Sequence, residues 1–312
     1  MFLENSQHSF IIIRMKPKAI VISGPTASGK SDFAHKLALA LNGAIINCDS
    51  VQIYAGIENI SASPFAGRPI TDDIDGVPYK LFSILPLNEH ISVADYLELA
   101  REAFAQVVKI GRVPIFVGGT GYYINVLLNG ISPVPQVDEE TRNRAREMVK
   151  NDINAVYDLL PKDFPRTDPQ RTARALEVFL ATGKTLTDWQ KRPRNGALIP
   201  DAFKILISPE RTVLLNRIAK RIPEMIGGGA EIEAKKIITE NLDETRAIGA
   251  TQLCKMLRGE LSSPQAIESW ITKTNQYAKR QRTWFRGQYN PDLVISRIPT
   301  DADVDNVVKL IS

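Results

Sequence analysis

A chain of 312 residues can bury a full core, and 44% hydrophobic against 24% charged residues excludes a disordered polymer. Thirty-nine basic against 35 acidic residues leave a formal charge of +4, too little by itself to demand a polyanionic partner. The only cysteines, Cys48 and Cys254, exclude a disulfide framework and a zinc quartet and point to a reducing, cytoplasmic setting.

Residues 1–14 hold a single four-residue apolar run, Phe10 to Ile13, too short for a signal-peptide core or a membrane span. They read as a loose tail or an over-extended start. From Met15, Lys16-Pro17-Lys18 leads into a short buried strand at Ile20-Val21-Ile22. Ser23 and then Gly24-Pro25-Thr26-Ala27-Ser28-Gly29-Lys30-Ser31 follow, in the pattern G-x-x-x-x-G-K-[ST]. Such a loop turns successive N–H groups toward a phosphate, with Lys30 for the outer oxygens and the Ser31 hydroxyl for Mg²⁺. Ser31 to Leu41 reads as a helix with Phe33, Leu37 and Leu41 on one face, its positive end under the loop. This is a phosphate cradle, and the pattern alone names neither the phosphate compound nor the bond broken.

Asn42-Gly43 supplies a helix stop, and Ala44 to Cys48 reads as a second strand of a right-handed strand–helix–strand unit. Asp49 then falls at a strand's carboxyl end, where ligands bind in open α/β sheets. Residues 55–90 read as loop with short elements, and Ser92 caps an amphipathic helix reaching Ile110. Val113 to Val117 is the next strand, ending in Gly118-Gly119-Thr120-Gly121-Tyr122-Tyr123, where backbone must approach something closely. The pattern then turns helical, with Asp138 and Asp168-Pro169 opening two of the helices. Arg142, Arg144 and Arg146 cannot all share a face. Phe203 to Ile207 returns to strand and Pro209 to Arg221 to helix; Gly227-Gly228-Gly229 reads as a flexible hinge before a helix at Glu231 to Glu240. Leu293 to Ser296 reads as the last strand. The expected fold is α/β: a P-loop NTPase-like, doubly wound parallel sheet core of residues 15–131 and 198–312, with an all-helical insert domain at 132–197.

Asp49 has three readings: a turn former, a magnesium holder acting through water, or a base for an incoming nucleophile. Thr120 is a second candidate, its hydroxyl suited to a substrate amine or to turn chemistry. Arg171 and Arg174, three apart on a helix, suit backbone phosphates or a solvated face, with Leu176, Phe179 and Leu180 turned inward. Lys273, Lys279, Arg280, Arg282 and Arg286, with Tyr277, Trp284 and Phe285 between them and no acid, suit an RNA surface. Trp284 and Phe285 are expected to be partly core. His8, His35 and His90 lie at no ligand spacing and receive no role.

Five ordered stretches resemble the bacterial tRNA dimethylallyltransferases, also called tRNA isopentenyltransferases. They are Gly24–Ser31, Asp49–Tyr54, Gly118–Tyr123, Asp168–Val178 and Tyr277–Phe285. The resemblance implies transfer of a dimethylallyl group from dimethylallyl diphosphate to the exocyclic amine of the adenosine 3′ of the anticodon, in tRNAs reading codons that begin with U. It implies Gly24–Ser31 as the diphosphate loop, Mg²⁺ at Ser31, and Lys30, Asp49 and Thr120 as the catalytic set. It implies tRNA contacts from Asp49, Ser50, Val51, Gln52, Thr120, Arg142, Gln170, Arg171, Thr172, Ala173, Arg174 and Arg246, with the insert clamping the anticodon stem. The adenine is expected to leave its stack to reach the cradle. One departure is the run Arg246-Ala-Ile-Gly-Ala-Thr-Gln252, which lacks the aromatic and second base usual in the family. No membrane partner is expected, and the chain is expected to act as a monomer. A P-loop kinase of a nucleoside or small metabolite shares the cradle and the strand-end Asp. A nucleic-acid-stimulated NTPase would want paired acids after Val117, where Gly-Gly-Thr stands.

Overall fold

Residues 17–161, 164, 166 and 168–311 are described by a computed structural model, so the expected tail at 1–14 lies outside the described residues. β1 (Ile20–Ser23) is buried on both faces, as a β-branched run in a parallel sheet should be. α1 (Lys30–Leu41) starts directly off the glycine loop and ends at Asn42, whose φ of 52° makes it the left-handed cap. Asparagine rather than glycine therefore stops this helix, and Gly43 already opens β2 (Gly43–Asn47).

A short hairpin, β3 (Asp73–Ile74) and β4 (Val77–Lys80), follows within the stretch expected as loop. β4 is four residues long and contains Pro78, which conceals it in the sequence; Val77 and Tyr79 turn inward, and Tyr79 and Lys80 pair it parallel to β2. α2 (Val93–Lys109) begins with a reciprocal Ser92–Asp95 capping box. β5 (Val113–Gly118) and α3 (Gly121–Asn129) come next.

Four helices occupy the following segment: α4 (Glu139–Asn151), α5 (Ile153–Leu159), α6 (Pro169–Thr182) and α7 (Leu186–Gln190). The chain then returns to β6 (Phe203–Ile207) and α8 (Arg211–Met225). α8 does not stop at Arg221 but runs through Pro223 into a π turn at Ile226–Ala230, where Gly229 adopts φ 119°. The three glycines thus form a kinked helical junction rather than an open hinge, because their missing Cβ atoms absorb the distortion. α9 (Glu231–Thr239), α10 (Ala250–Leu257), α11 (Ser263–Gln288), β7 (Leu293–Ile295) and α12 (Asp301–Ile311) complete the chain.

Contacts divide the chain into two compact units, one of residues up to 128 plus those from 199 on, the other Asn129–Leu198. In the first, the sheet order is β3-β4-β2-β5-β1-β6-β7, parallel except for β3. Phe33 and Leu37 of α1 with Val304 and Val307 of α12 pack on the face carrying Ile20, Ile22, Ile115 and Ile205. Phe104 of α2 stacks near Phe116, which alternation places on the other face. Helices on both faces make this a doubly wound sheet.

In the second unit, Ala145, Val149, Val156, Leu160, Ala175 and Leu176 form a separate core. Leu180 does not join it: in the last turn of α6 it is 37% exposed, a correction to the inward face expected there. Among the described residues no helix is long and apolar enough to cross a membrane.

Candidate active site at the carboxyl edge of the sheet

Three adjacent strands, β2, β5 and β1, end at the same edge, so the loops after them meet. Glycines make the meeting close. A Cβ at Gly118 would lie 1.9 Å from the Cys48 carbonyl oxygen, and one at Gly24 would lie 2.4 Å from that of Ile207. Gly29 takes φ 87° to turn the cradle into α1.

The cradle collects cations. Lys30 Nζ donates to the Pro25 carbonyl at 3.4 Å. From α8, Arg217 Nε donates to the Ala27 carbonyl and Arg221 Nη2 to the Thr26 hydroxyl, each at 2.8 Å. Arg221 Nε and Ser28 Oγ are buried without a hydrogen-bond partner among the described residues. None of the three cations has an ion-pair partner among the described residues. Burial pushes the Lys30 amine down to about 8, against the pull of Asp49, with Arg221 adding to the depression. Burial, then Arg217, likewise lowers Arg221. Three cations crowded around the loop, Lys30 and Arg221 partly buried and Arg217 exposed, with one carboxylate nearby, suit an anion.

Asp49 faces this site from the end of β2. Its backbone is fixed by Asn47, which accepts the Asp49 N–H at 2.9 Å and donates to the carbonyls of Asp49 and Leu81. Oδ1 accepts the Val51 N–H at 3.0 Å, and Oδ2 carries no hydrogen bond among the described residues. Thr120 Oγ1 accepts the Ser50 N–H at 2.9 Å and donates to Ser50 Oγ at 3.2 Å, so this hydroxyl holds the Asp49 loop. Gln52 donates to the carbonyls of Ser61 and Ala62. Beneath the loop, the Tyr96 hydroxyl donates to the Asn47 carbonyl at 3.0 Å and its ring stacks on Tyr123. Tyr96→Phe should therefore cost about 1–2 kcal/mol in urea unfolding by orphaning a buried carbonyl. An unchanged midpoint would show that bond to be immaterial.

The IPP transferase family model matches residues 52–288, and an isopentenyl transferase model matches residues 17–81. The chain belongs to the IPP transferase family. A tRNA dimethylallyltransferase of Erythrobacter litoralis is 39% identical over 295 residues, covering 89% of this chain and 90% of that protein. The tRNA isopentenylpyrophosphate transferase of Bacillus halodurans superimposes with a TM-score of 0.67 at 29% identity, covering 95% of this chain and 96% of the other. A eukaryotic dimethylallyltransferase described as acting on tRNA shares the fold at TM-score 0.76 and 23% identity, over 95% of this chain and 78% of the other.

Within this IPP transferase, the structure brings together Gly24–Ser31, Asp49–Gln52 and Thr120. Arg246 lies on the same unit, its side chain 13% exposed. It pairs with Asp243 at 3.1 Å, donates to the Leu87 carbonyl at 3.0 Å and sits 5.2 Å from the Tyr54 ring centroid. Those partners make it a brace for the loop carrying Tyr54.

Arg142 and Gln170–Arg174 belong to the helical unit. Thr172 and Ala173 are buried there, which corrects the expectation that every residue of that run meets RNA. Gln170, Arg171 and Arg174 are the exposed ones. Arg171 pairs with Asp168 and Arg174 with Glu177, while Arg142 donates to the Val137 carbonyl.

On α11, Lys273, Lys279, Arg280 and Arg286 are exposed and have no ion-pair partner among the described residues. Phe285 is buried, and half-buried Trp284 packs where a Cβ of Gly121 would fall. Sequence reading missed Arg217, Arg221 and Gln281 as site residues. The available signal was Arg-x-x-x-Arg on a helix that follows a buried strand, which places both side chains on one face.

Proposed function

We propose that this chain transfers a dimethylallyl group from dimethylallyl diphosphate to the exocyclic amine of the adenosine 3′ of the anticodon, in tRNAs reading codons that begin with U. The observation that carries the reading is the convergence of Lys30, Arg217 and Arg221 on one phosphate loop, across from an Asp49 with a free oxygen. Family membership supports the acceptor, since its named relatives are tRNA dimethylallyltransferases.

The allylic C–O bond breaks with its electron pair going to the diphosphate, and the amine nitrogen bonds to the freed carbon. The nitrogen's proton passes to Asp49. Lys30, the loop amides and the two arginines stabilise the charge left on the departing diphosphate, before and independently of any proton transfer to it. Magnesium fits the Ser31 hydroxyl, a hard oxygen donor exposed at the start of α1. Ser31 would hold it, and when bound it would neutralise the leaving group. The exposed basic face of α11, with Arg171 and Arg174 of the helical insert, supplies phosphate contacts for the tRNA, in a reducing, cytoplasmic setting.

Incubation with dimethylallyl diphosphate, Mg²⁺ and unmodified tRNA should give isopentenyladenosine on digestion and chromatography, with negligible ATP hydrolysis. Brisk ATPase without prenyl transfer would favour a kinase or a nucleic-acid-stimulated NTPase.

The depressed Lys30 amine adds a pH signature. With an amine near 8 in the free protein, binding a diphosphate restores the proton, so binding takes up protons as pH rises through about 8, and affinity falls. Calorimetry in buffers of different ionisation enthalpy should show this uptake at pH 8.5 and its loss in Lys30→Met. Equal uptake in both proteins would assign the proton to another group.

A further inference from the structure

The cradle and the Asp49 loop are tied together by one side chain from the far end of the sequence. Gln281 of α11 is 5% exposed. Its Oε1 accepts the Thr26 N–H at 2.8 Å, and its Nε2 donates to the Gly119 carbonyl at 2.9 Å. Because an amide N–H can only donate and a carbonyl can only accept, these partners fix the carboxamide in one orientation. Gly119 admits it: a Cβ there would lie 2.2 Å from Nε2. One residue on, Thr120 holds the Ser50 N–H beside Asp49. An unbroken path thus runs from the phosphate loop through Gln281, Gly119, Thr120 and Ser50 to Asp49.

We infer that Gln281 is a positioning residue that sets the distance between the leaving diphosphate and the Asp49 base. The inference rests on the prenyl-transfer reading above. Displacements of about 1 Å between reacting groups can cost roughly 10²-fold in rate, and a two-ended tether in a buried site resists them. Thr26 and Gly119 are backbone partners in two different loops, so no single backbone hydrogen bond replaces the tether. The bridge acts on geometry at saturation, and its loss appears in the rate constant of transfer.

The test is single-turnover prenyl transfer at saturating donor and tRNA, in the full chain. The amplitude reports the fraction of folded, competent protein, and the rate constant reports the alignment of the reacting groups. Gln281→Met removes both hydrogen bonds at similar volume. Gln281→Glu, read at a pH that keeps its carboxylate ionised, keeps an acceptor for Thr26 but no donor for Gly119. Both variants are expected to lower the rate constant about 10- to 100-fold. Their affinities for tRNA should stay within about threefold of wild type, a split that general unfolding would not produce. Wild-type rate constants with reduced amplitude in both would overturn the inference and leave Gln281 a packing residue. A wild-type rate in Gln281→Glu alone would overturn the two-ended bridge, since the Thr26 bond would then suffice. If Gln281→Met does not fold, Gln281→Glu and Gly119→Ala, which crowds the carboxamide, decide the matter by the same rate constant. Absence of transfer by the wild-type chain would sink the functional reading and this inference together; transfer with unaltered variant rate constants sinks the inference alone.

Discussion

Asp49→Asn is expected to slow prenyl transfer by roughly 10²-fold or more, as loss of a general base does, while tRNA affinity stays near wild type. The direction follows from which oxygen is occupied. Oδ1 is taken by the Val51 N–H, and an asparagine can still accept that bond, so the loop keeps its shape. What is lost is a free carboxylate oxygen that can take a proton from the amine. The effect therefore falls on turnover, measured by single-turnover transfer, and not on tRNA binding, measured by filter retention. If Asp49→Asn instead abolishes diphosphate binding, the carboxylate holds the metal and the proton leaves by another route.

Arg221→Met should lower kcat/KM for the prenyl donor by about 10²- to 10³-fold, the range for removing one preorganised donor to a developing anion. Its Nη2 is anchored on the Thr26 hydroxyl, and its Nε is buried with no partner among the described residues, open to an anion. The same substitution should raise the melting temperature of the free protein. Burial and the neighbouring Arg217 both disfavour this cation, so removing it relieves the unliganded fold. Inorganic diphosphate should then stabilise the wild type strongly and the variant little, as ligand linkage requires. A variant less stable than wild type, yet equally stabilised by diphosphate, would make Arg221 a structural residue. Arg217→Met should act more weakly, because that side chain is exposed.

The cradle was legible because its chemistry is local: eight consecutive residues, a β-branched strand before and an amphipathic helix after. Asp49 and Thr120 were legible for a related reason, since each ends a strand whose carboxyl edge the parallel topology places beside β1. Their uses were not equally visible. Nothing around Thr120 in the sequence shows that its hydroxyl is committed to Ser50, a contact between loops 70 residues apart. Arg221 and Gln281 reach Thr26 across 195 and 255 residues, and each looks locally like an ordinary polar position on a helix. Periodicity hides such residues, because a side chain aimed into a cleft and one aimed into water occupy the same kind of helical face.

Two local rules also yielded to context. Pro223 did not end α8, which runs through it to Met225 and on into the glycine-rich π turn. Val77–Lys80, with a proline in four residues, became a strand because β2 offered an edge to pair with. In the helical insert the caps were plain from Asp138 and Asp168, whereas the inward turn of Thr172 depended on packing that no motif encodes.

The central claim is that the glycine–lysine loop holds a diphosphate as it is expelled, rather than a nucleotide whose terminal phosphate is transferred. The most direct measurement is product stoichiometry in one reaction containing dimethylallyl diphosphate, ATP, Mg²⁺ and unmodified tRNA. One equivalent of inorganic diphosphate should appear for each isopentenyladenosine formed, with ATP left intact. Release of ADP and orthophosphate, without prenylated nucleoside, would contradict it.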